Sequence, residues 1–392
     1  MLKLITLLFI STMTVMAGAT IAPALPAIQA FFQTTPNFEL LVRLMLTIPA
    51  LFTAIAAPFA GIIIDRFGRK PLLTVSVIIY GIAGGSGFVL NSLWALLIGR
   101  AFLGVSVAGI MTTSVALIAD YYQGAKRNQI MGIQAAFMGF GGVIFLTLGG
   151  LLADISWRFP FLIYLSAFVI LPFVILVLNE PNNQKNSHQE VAEIHTEVNV
   201  DRELKTTLIF IYVLTFLTMV AFYMIPVQIP FYLQNTFQVS NSQTGMAIAC
   251  STLTSAIISM SYGKIKAIFS FPGVLMLLYL CMGIGYIVIS SAVSYPLVIL
   301  GLIISGMGLG LLLPNMNVWL NAKTPIAIRG KVLGGLTTCM FLGQFSSPIL
   351  SQPSIAQFGI GYSYGIVGVI MSIFAIILIG GAVTGKYSLK AN

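Results

Sequence analysis

Long uninterrupted runs of apolar residues recur along the whole chain, and they constrain its fold more than any other feature. A helix needs about 20 such residues to cross the hydrocarbon core of a bilayer. Apolar residues make up 58% of the chain and charged residues only 7%, whereas soluble domains carry about 25% charged residues. The chain is therefore expected to be an integral membrane protein, not a soluble enzyme or a nucleic-acid-binding protein.

Twelve of these runs are long enough to span a membrane, and they fall into two sets of six. The first set covers residues 4–24, 40–60, 72–90, 94–118, 130–152 and 159–178. The second set covers residues 207–233, 244–262, 272–291, 296–318, 331–350 and 362–383. We predict an all-α membrane protein with an N-terminal six-helix half, a hydrophilic cytoplasmic linker and a C-terminal six-helix half, at residues 1–178, 179–206 and 207–392.

A cleaved signal peptide is the alternative for the first run. That run is longer than the apolar core of about 7–15 residues typical of signal peptides, and further spans follow it.

Basic residues predict the orientation of the chain in the membrane, because cytoplasmic loops carry an excess of lysine and arginine. If both termini are cytoplasmic, the cytoplasmic segments hold all 19 basic residues except Arg43, Arg100 and Arg158. Two cytoplasmic termini require an even number of spans, in agreement with twelve.

The loop between the second and third runs combines glycines with charged residues, namely Gly61, Asp65, Arg66, Gly68, Arg69 and Lys70. This segment resembles the loop signature G-x-x-x-D-R-x-G-R-[KR] of the major facilitator superfamily. The resemblance implies an alternating-access transporter fold, in which this cluster is a conformational latch between the halves in the outward-facing state. A generic basic loop would explain the cations but neither the aspartate nor the two glycines.

Two further segments resemble elements of the 12-helix drug and metabolite exporters of that family. Arg100 and Gly104 match an R-x-x-x-G element of the fourth span, which the resemblance links to proton transfer or to an anion site. An arginine at that depth costs about 3 kcal/mol, which favours a functional role over a structural one. In the fifth span, Phe145 and Leu146 replace the central Gly-Pro of the antiporter motif, which weakens an antiporter assignment.

Substrate in this fold binds near the bilayer midplane, between the halves. Polar side chains in the spans are therefore substrate-binding candidates, although each alone could instead join helices: Thr14, Gln134, Tyr223, Gln228, Asn315, Asn317 and Gln344. No carboxylate lies near the middle of a span. With Arg100 and Arg43 as the cations at that depth, the cavity is expected to favour anionic, zwitterionic or neutral polar substrates.

The leading hypothesis is a secondary transporter that exports a small organic metabolite, polar or anionic such as a carboxylate siderophore, with the proton as coupling ion. A multidrug–proton antiporter is the first alternative, and an uptake carrier is the second. The three cysteines form no paired pattern, and no GxxxxGK[ST] phosphate loop occurs. No catalytic site, cofactor or metal is predicted, and the chain is expected to be a monomer in a bacterial inner membrane.

Overall fold

The computed structural model describes residues 1–181, 202–384 and 388–390, so most of the predicted linker lies outside the described residues. The first half consists of α1 (Leu2–Phe31), α2 (Phe38–Phe67), α3 (Arg69–Phe88), α4 (Leu93–Tyr121), α5 (Gly124–Ile155) and α6 (Phe159–Val177). The second half begins with α7 (Arg202–Phe237), α8 (Asn241–Met260), α9 (Phe271–Ser290) and α10 (Tyr295–Lys323). It ends with the helix Arg329–Val383, which contains α11 and α12.

Two breaks in the second half were not evident from hydropathy. Helix α8 bends by 58° onto a short helix, Tyr262–Ile268. The last two predicted spans follow each other without a loop, and the chain turns between them at Gly359, which has φ 82° and ψ 168°. Glycine suits this position because a side chain disfavours positive φ. With α11 ending and α12 beginning at Gly359, every predicted run is confirmed as a helical segment within the described residues.

A pair of buried tyrosines anchors the first helix of each half in the same way. Tyr80 of α3 and Tyr164 of α6 donate hydrogen bonds to carbonyl oxygens of α1, at 2.6 and 3.1 Å. Tyr286 of α9 and Tyr364 of α12 donate to carbonyl oxygens of α7, both at 2.7 Å. All four side chains are fully buried. The recurrence is what two structural repeats of one six-helix unit would produce.

The halves meet through α5 against α8 and α2 against α11. We call the face that carries Met1 the terminal face and the opposite one the far face. Toward the far face, a Cβ added at Gly150 of α5 would collide with the Asn241 carbonyl oxygen, and one at Gly245 of α8 with the Leu146 carbonyl oxygen. Near the terminal face, a Cβ at Gly132 would meet no atom within 4 Å. The halves are therefore packed together at the far face and separated toward the terminal face.

Candidate functional site

A cavity of about 380 Å³ lies between the halves. Seven helices line it, namely α1, α4, α5, α7, α8, α10 and α11. At one end the lining includes Gly18 and Tyr223, where α1 and α7 approach each other. From there the lining continues toward the terminal face along successive turns of α8, at Ser251, Ser255 and Ser259. The cavity is thus bounded on the far side and extends toward the separated side.

None of the described residues that line this cavity is charged. Much of the wall consists of flexible or aromatic side chains, which are Met111, Met138, Met219, Met340, Phe222, Tyr223 and Phe341. Methionine is unbranched and polarisable, so it fits ligands of different shape. A wall of this kind binds amphipathic molecules by burying their apolar surface, and it offers no ion-pair partner.

Three predicted candidates, Thr14, Tyr223 and Gln344, line the cavity. The Gln344 amide makes only a long contact of 4.0 Å to a sulfur atom of α7. The buried Ser251 hydroxyl has no hydrogen-bond partner among the described residues. Buried polar groups are normally paired, so Ser251 and Gln344 are available to a ligand or to water. Sequence analysis missed Ser251, because a single serine in an apolar run carries no distinctive signal.

The other candidates lie outside the cavity lining. Gln134 donates to the Ser11 hydroxyl at 2.7 Å, which joins α5 to α1. Asn315 accepts from the Tyr262 hydroxyl at 3.1 Å, which joins α10 to the bend after α8. Asn317 donates to a carbonyl oxygen one turn back in its own helix at 2.9 Å. Gln134 and Asn315 therefore join helices in this conformation, whereas the Asn317 bond stays within one helix.

Arg100 is buried inside the first half, and it does not line the cavity. Its Nη1 donates to the Tyr164 hydroxyl at 2.9 Å and to the Ala17 carbonyl oxygen at 3.4 Å. The guanidinium also lies over the rings of Phe161 and Tyr164, 4.9 and 5.0 Å from their centroids. Its Nη2 has no hydrogen-bond partner within the described chain. Two aromatic faces, one hydroxyl and one carbonyl oxygen therefore stabilise this cation, and no carboxylate of the described residues forms an ion pair with it.

Arg43 and Gln228 connect the two halves near the far face. The Arg43 Nε donates to the Gln228 Oε1 at 3.0 Å, and the guanidinium lies 4.6 Å from the ring centroid of Phe231. Arg43 also donates to the Glu39 carbonyl oxygen at 2.8 Å, and its Nη1 lies 3.8 Å from the Glu39 carboxylate. Arg43 is 5% exposed and Gln228 fully buried. Gln228, a predicted substrate contact, is thus a contact between the halves in this conformation.

Asp154 makes a second connection at the same face. Its carboxylate, at the end of α5, accepts hydrogen bonds from the backbone amides of Asn241 and Ser242, at 2.8 and 3.2 Å. Those amides belong to the first turn of α8, where the helix dipole favours a negative charge. Asn241 also donates to the Ala153 carbonyl oxygen at 3.2 Å. We refer to Arg43–Gln228 and Asp154 with the first turn of α8 as the far-face contacts.

The loop motif lies at the terminal face, and its hydrogen bonds and ion pair among the described residues go to Asp120 and Glu180, not to the second half. The Asp65 carboxylate is exposed and has no ion-pair partner in the described part of the chain. The Arg66 guanidinium lies 5.3 Å from the centroid of the Phe67 ring. A Cβ at Gly61 would meet no atom within 4 Å. Asp65 and Gly61 therefore do not form the contact between the halves that the resemblance implies, in this conformation and among the described residues.

The rest of the motif is bound within the first half. Arg69 forms an ion pair with Asp120 at the end of α4, with 3.0 Å between Nε and Oδ2. The backbone amides of Arg69 and Lys70 donate to the two carboxylate oxygens of Glu180, each at 2.7 Å. Gly68 adopts φ 93°, and a Cβ there would collide with Glu180. Gly68 thus permits both the turn and the close approach of this carboxylate.

Comparison with known proteins agrees with this architecture. The family profile of the Major Facilitator Superfamily matches residues 7–348 and 211–390. A "Multi-drug resistance efflux pump PmrA homolog" of Lactococcus lactis is 26% identical over 365 residues, which is 91% of this chain and 88% of the relative. "Multi-drug resistance efflux pump PmrA" of Streptococcus pneumoniae is 23% identical over 353 residues, 88% of each chain.

Other similarities are partial or concern the fold alone. The chain matches 36% of the length of "Multidrug resistance protein 1" of Bacillus subtilis, at 30% identity over 36% of its own length. It matches 48% of the class B tetracycline resistance protein of Escherichia coli, at 28% identity over 49% of its own length. The crystal structure of a D-xylose-proton symporter superposes with a TM-score of 0.77 at 18% identity, covering 96% of both chains. This chain belongs to the Major Facilitator Superfamily and is a multi-pass membrane transporter, not an enzyme.

Proposed function

We propose that this transporter exports amphipathic organic molecules without a net charge, by alternating access and with the proton as the coupling ion. The observation that carries the proposal is the lining of the central cavity, which, over the part of the chain that the structure describes, contains four methionines and no charged residue. A wall without ion-pair partners binds through burial of apolar surface, at about 25 cal/mol per Å². Two relatives aligned over most of their length are multidrug efflux pumps by name.

A carboxylate substrate such as a siderophore is less well supported by this geometry. That hypothesis depended on Arg100 and Arg43 facing the substrate, and both guanidinium groups are held elsewhere in this conformation. An anion moved from water into this cavity would lose hydration without gaining a cation. The unpaired hydroxyl of Ser251 and the amide of Gln344 suit a neutral donor or acceptor on the substrate instead.

The expected orientation indicates which state of the transport cycle this conformation represents. With both termini cytoplasmic, the separated terminal face opens toward the cytoplasm and the far-face contacts close the outer side. The cavity would then load substrate from the cytoplasm of a bacterial cell, as export requires. In the outward-facing state the far-face contacts would break, and the motif around Asp65 would contact the second half. A complete pathway within one chain is consistent with a monomer.

Transport in inside-out membrane vesicles with an acid-inside gradient tests this proposal. We expect gradient-dependent uptake of a neutral amphipathic probe such as chloramphenicol, and none of a citrate-type siderophore. The variant Met340→Trp should abolish uptake because the indole fills the cavity. Met246→Trp is the matched control, since Met246 is 53% exposed on α8 and does not line the cavity.

Three outcomes would contradict parts of the proposal. Uptake of the siderophore alone would show that the substrate is anionic. Equal uptake with and without the gradient would exclude the proton as coupling ion. Equal loss of uptake in Met340→Trp and Met246→Trp, with both proteins present in the membrane, would show that the central cavity is not the substrate site.

A further inference from the structure

A second cavity, of about 340 Å³, lies within the C-terminal half between α7, α9, α11 and α12. We call it the lateral pocket. Four residues of its lining are exposed on the outer surface of the helices, namely Leu217, Leu350, Ile366 and Ile370, with exposed fractions between 41% and 60%. These positions lie within membrane-spanning segments. The mouth of the lateral pocket therefore opens to the hydrocarbon of the bilayer and not to water.

Helix α7 separates the lateral pocket from the central cavity. Val220, Ala221 and Met224 line the lateral pocket, whereas Phe222 and Tyr223 line the central cavity. The first three are spaced as neighbours on one face of a helix. No residue lines both cavities. The lateral pocket is therefore distinct from the proposed transport route.

Most polar atoms of the lateral pocket already have partners inside the protein. The hydroxyls of Thr218 and Tyr279 lie 2.5 Å apart, and those of Ser354 and Ser363 lie 2.9 Å apart. The Ser351 hydroxyl accepts from an amide of α7 at 3.5 Å. A polar ligand would have to break these hydrogen bonds to form its own, with little net gain. The lateral pocket is thus suited to an occupant that needs no hydrogen bond.

The wall formed by α7 is also held in place before anything binds. The hydroxyls of Ser347, Tyr286 and Tyr364 donate to the carbonyl oxygens of Val220, Ala221 and Met224 respectively, each at 2.7 Å. Carbonyls of three pocket-lining residues are therefore fixed by α9, α11 and α12. A preformed cavity of this kind does not collapse when empty, and an empty apolar cavity forfeits the dispersion contacts of its lining. Occupancy by a hydrocarbon would restore those contacts.

We propose that the lateral pocket binds an acyl chain of a membrane phospholipid. The acyl chain would enter the lateral pocket from the bilayer, between Leu217 of α7 and Ile370 of α12. It would pack against the face of α7 opposite to the central cavity. The bilayer supplies this occupant at the mouth of the pocket, and the apolar lining with satisfied hydroxyls matches its chemistry. The site supports α7 from the outside while the other face of α7 lines the transport cavity.

Photolabelling of the full-length protein in proteoliposomes tests this proposal. The probe is phosphatidylglycerol with a diazirine near the end of one acyl chain, and adducts are mapped by mass spectrometry. We expect adducts on Leu217, Ser354 and Val367 in excess over lipid-facing positions that are more exposed, such as Ile376. The variant Val367→Phe narrows the pocket, and each methylene displaced from it should lower the labelling there about fourfold.

Val369→Phe is the matched control, since Val369 is 49% exposed on the same helix and does not line the pocket. Its labelling pattern should equal that of the unaltered protein. Adducts spread evenly over the lipid-facing surface of the unaltered protein would overturn the proposal, and this outcome does not depend on any variant folding. Pocket labelling that is unchanged in a well-folded Val367→Phe protein would overturn it as well.

Discussion

Replacing Gln228 with alanine removes the acceptor that Arg43 reaches across the two halves. Arg43 is only 5% exposed, so water cannot take over that hydrogen bond while the far face is closed. When the far face opens, the guanidinium can meet water and the loss costs little. The substitution should therefore destabilise the closed far face relative to the open one. The contact between Arg43 and Glu39 lies within α2, so we expect opening of the far face to leave it in place.

The size of this effect follows from the charge on the donor. A hydrogen bond to a charged group contributes about 1.5–3 kcal/mol, and leaving a buried charged donor unpaired costs at least as much. A change of that size shifts the ratio of open to closed far face by about 10- to 150-fold. Replacing both Arg43 and Gln228 with methionine should return the ratio of open to closed far face toward that of the unaltered protein. The double variant has no buried charge that lacks a partner.

Cysteine accessibility measures this ratio. The reporter is Ala24→Cys, because Ala24 is fully buried at the far end of α1. It is introduced after Cys250, Cys281 and Cys339 are replaced with serine, and it is labelled from outside the cell with an impermeant maleimide. Gln228→Ala should raise the labelling rate by the factor given above. Gln352→Ala is the control, since the Gln352 Oε1 has no partner in the described chain. Equal rates in the two variants would refute the reasoning.

Three further variants test other contacts with the same or a simpler assay. Asp154→Asn should raise the labelling rate by about two- to fivefold, because the charge that complements the dipole of α8 is lost; a decrease would contradict the role of Asp154 in closure. Gly245→Val should place a side chain against the Leu146 carbonyl oxygen and so prevent closure of the far face. The labelling rate should then be maximal and transport absent; normal transport would contradict this. Tyr164→Phe should lower the thermal unfolding temperature by several degrees, since Arg100 loses a buried partner worth about 1–3 kcal/mol. The reporter rate should stay unchanged in Tyr164→Phe, and a large increase would place Arg100 in the gating step.

The helices themselves could be predicted from hydropathy, because a bilayer imposes one requirement on every spanning segment. Lipid offers no hydrogen bonds, so the backbone must be helical and the side chains apolar over the full thickness. The direct connection of α11 to α12 at Gly359 could not be predicted, because a turn made by a single glycine leaves no polar loop in the sequence. The bend of 58° after α8 was missed for the same reason.

The candidate site was predicted only in part. Tyr223 and Gln344 line the central cavity, whereas Gln134 and Asn315 join helices inside one half. All four are polar side chains in apolar spans, where each must find a protein partner or face a water-filled space. Which of these occurs depends on the rotation of each helix about its axis. Packing against neighbouring helices sets that rotation, and one sequence does not reveal it.

The amino-acid sequence by itself determined that this chain crosses a membrane in two sets of six helices. It also determined the charged loop at Asp65, since its spacing is local. Only the tertiary structure decided that Arg43 contacts Gln228 and that Asp154 caps α8, because these partners lie in different halves. It also decided that no charged side chain within residues 1–181, 202–384 and 388–390 lines the central cavity. Local rules act along the chain, whereas the contacts between the halves depend on how helices far apart in the sequence pack against each other.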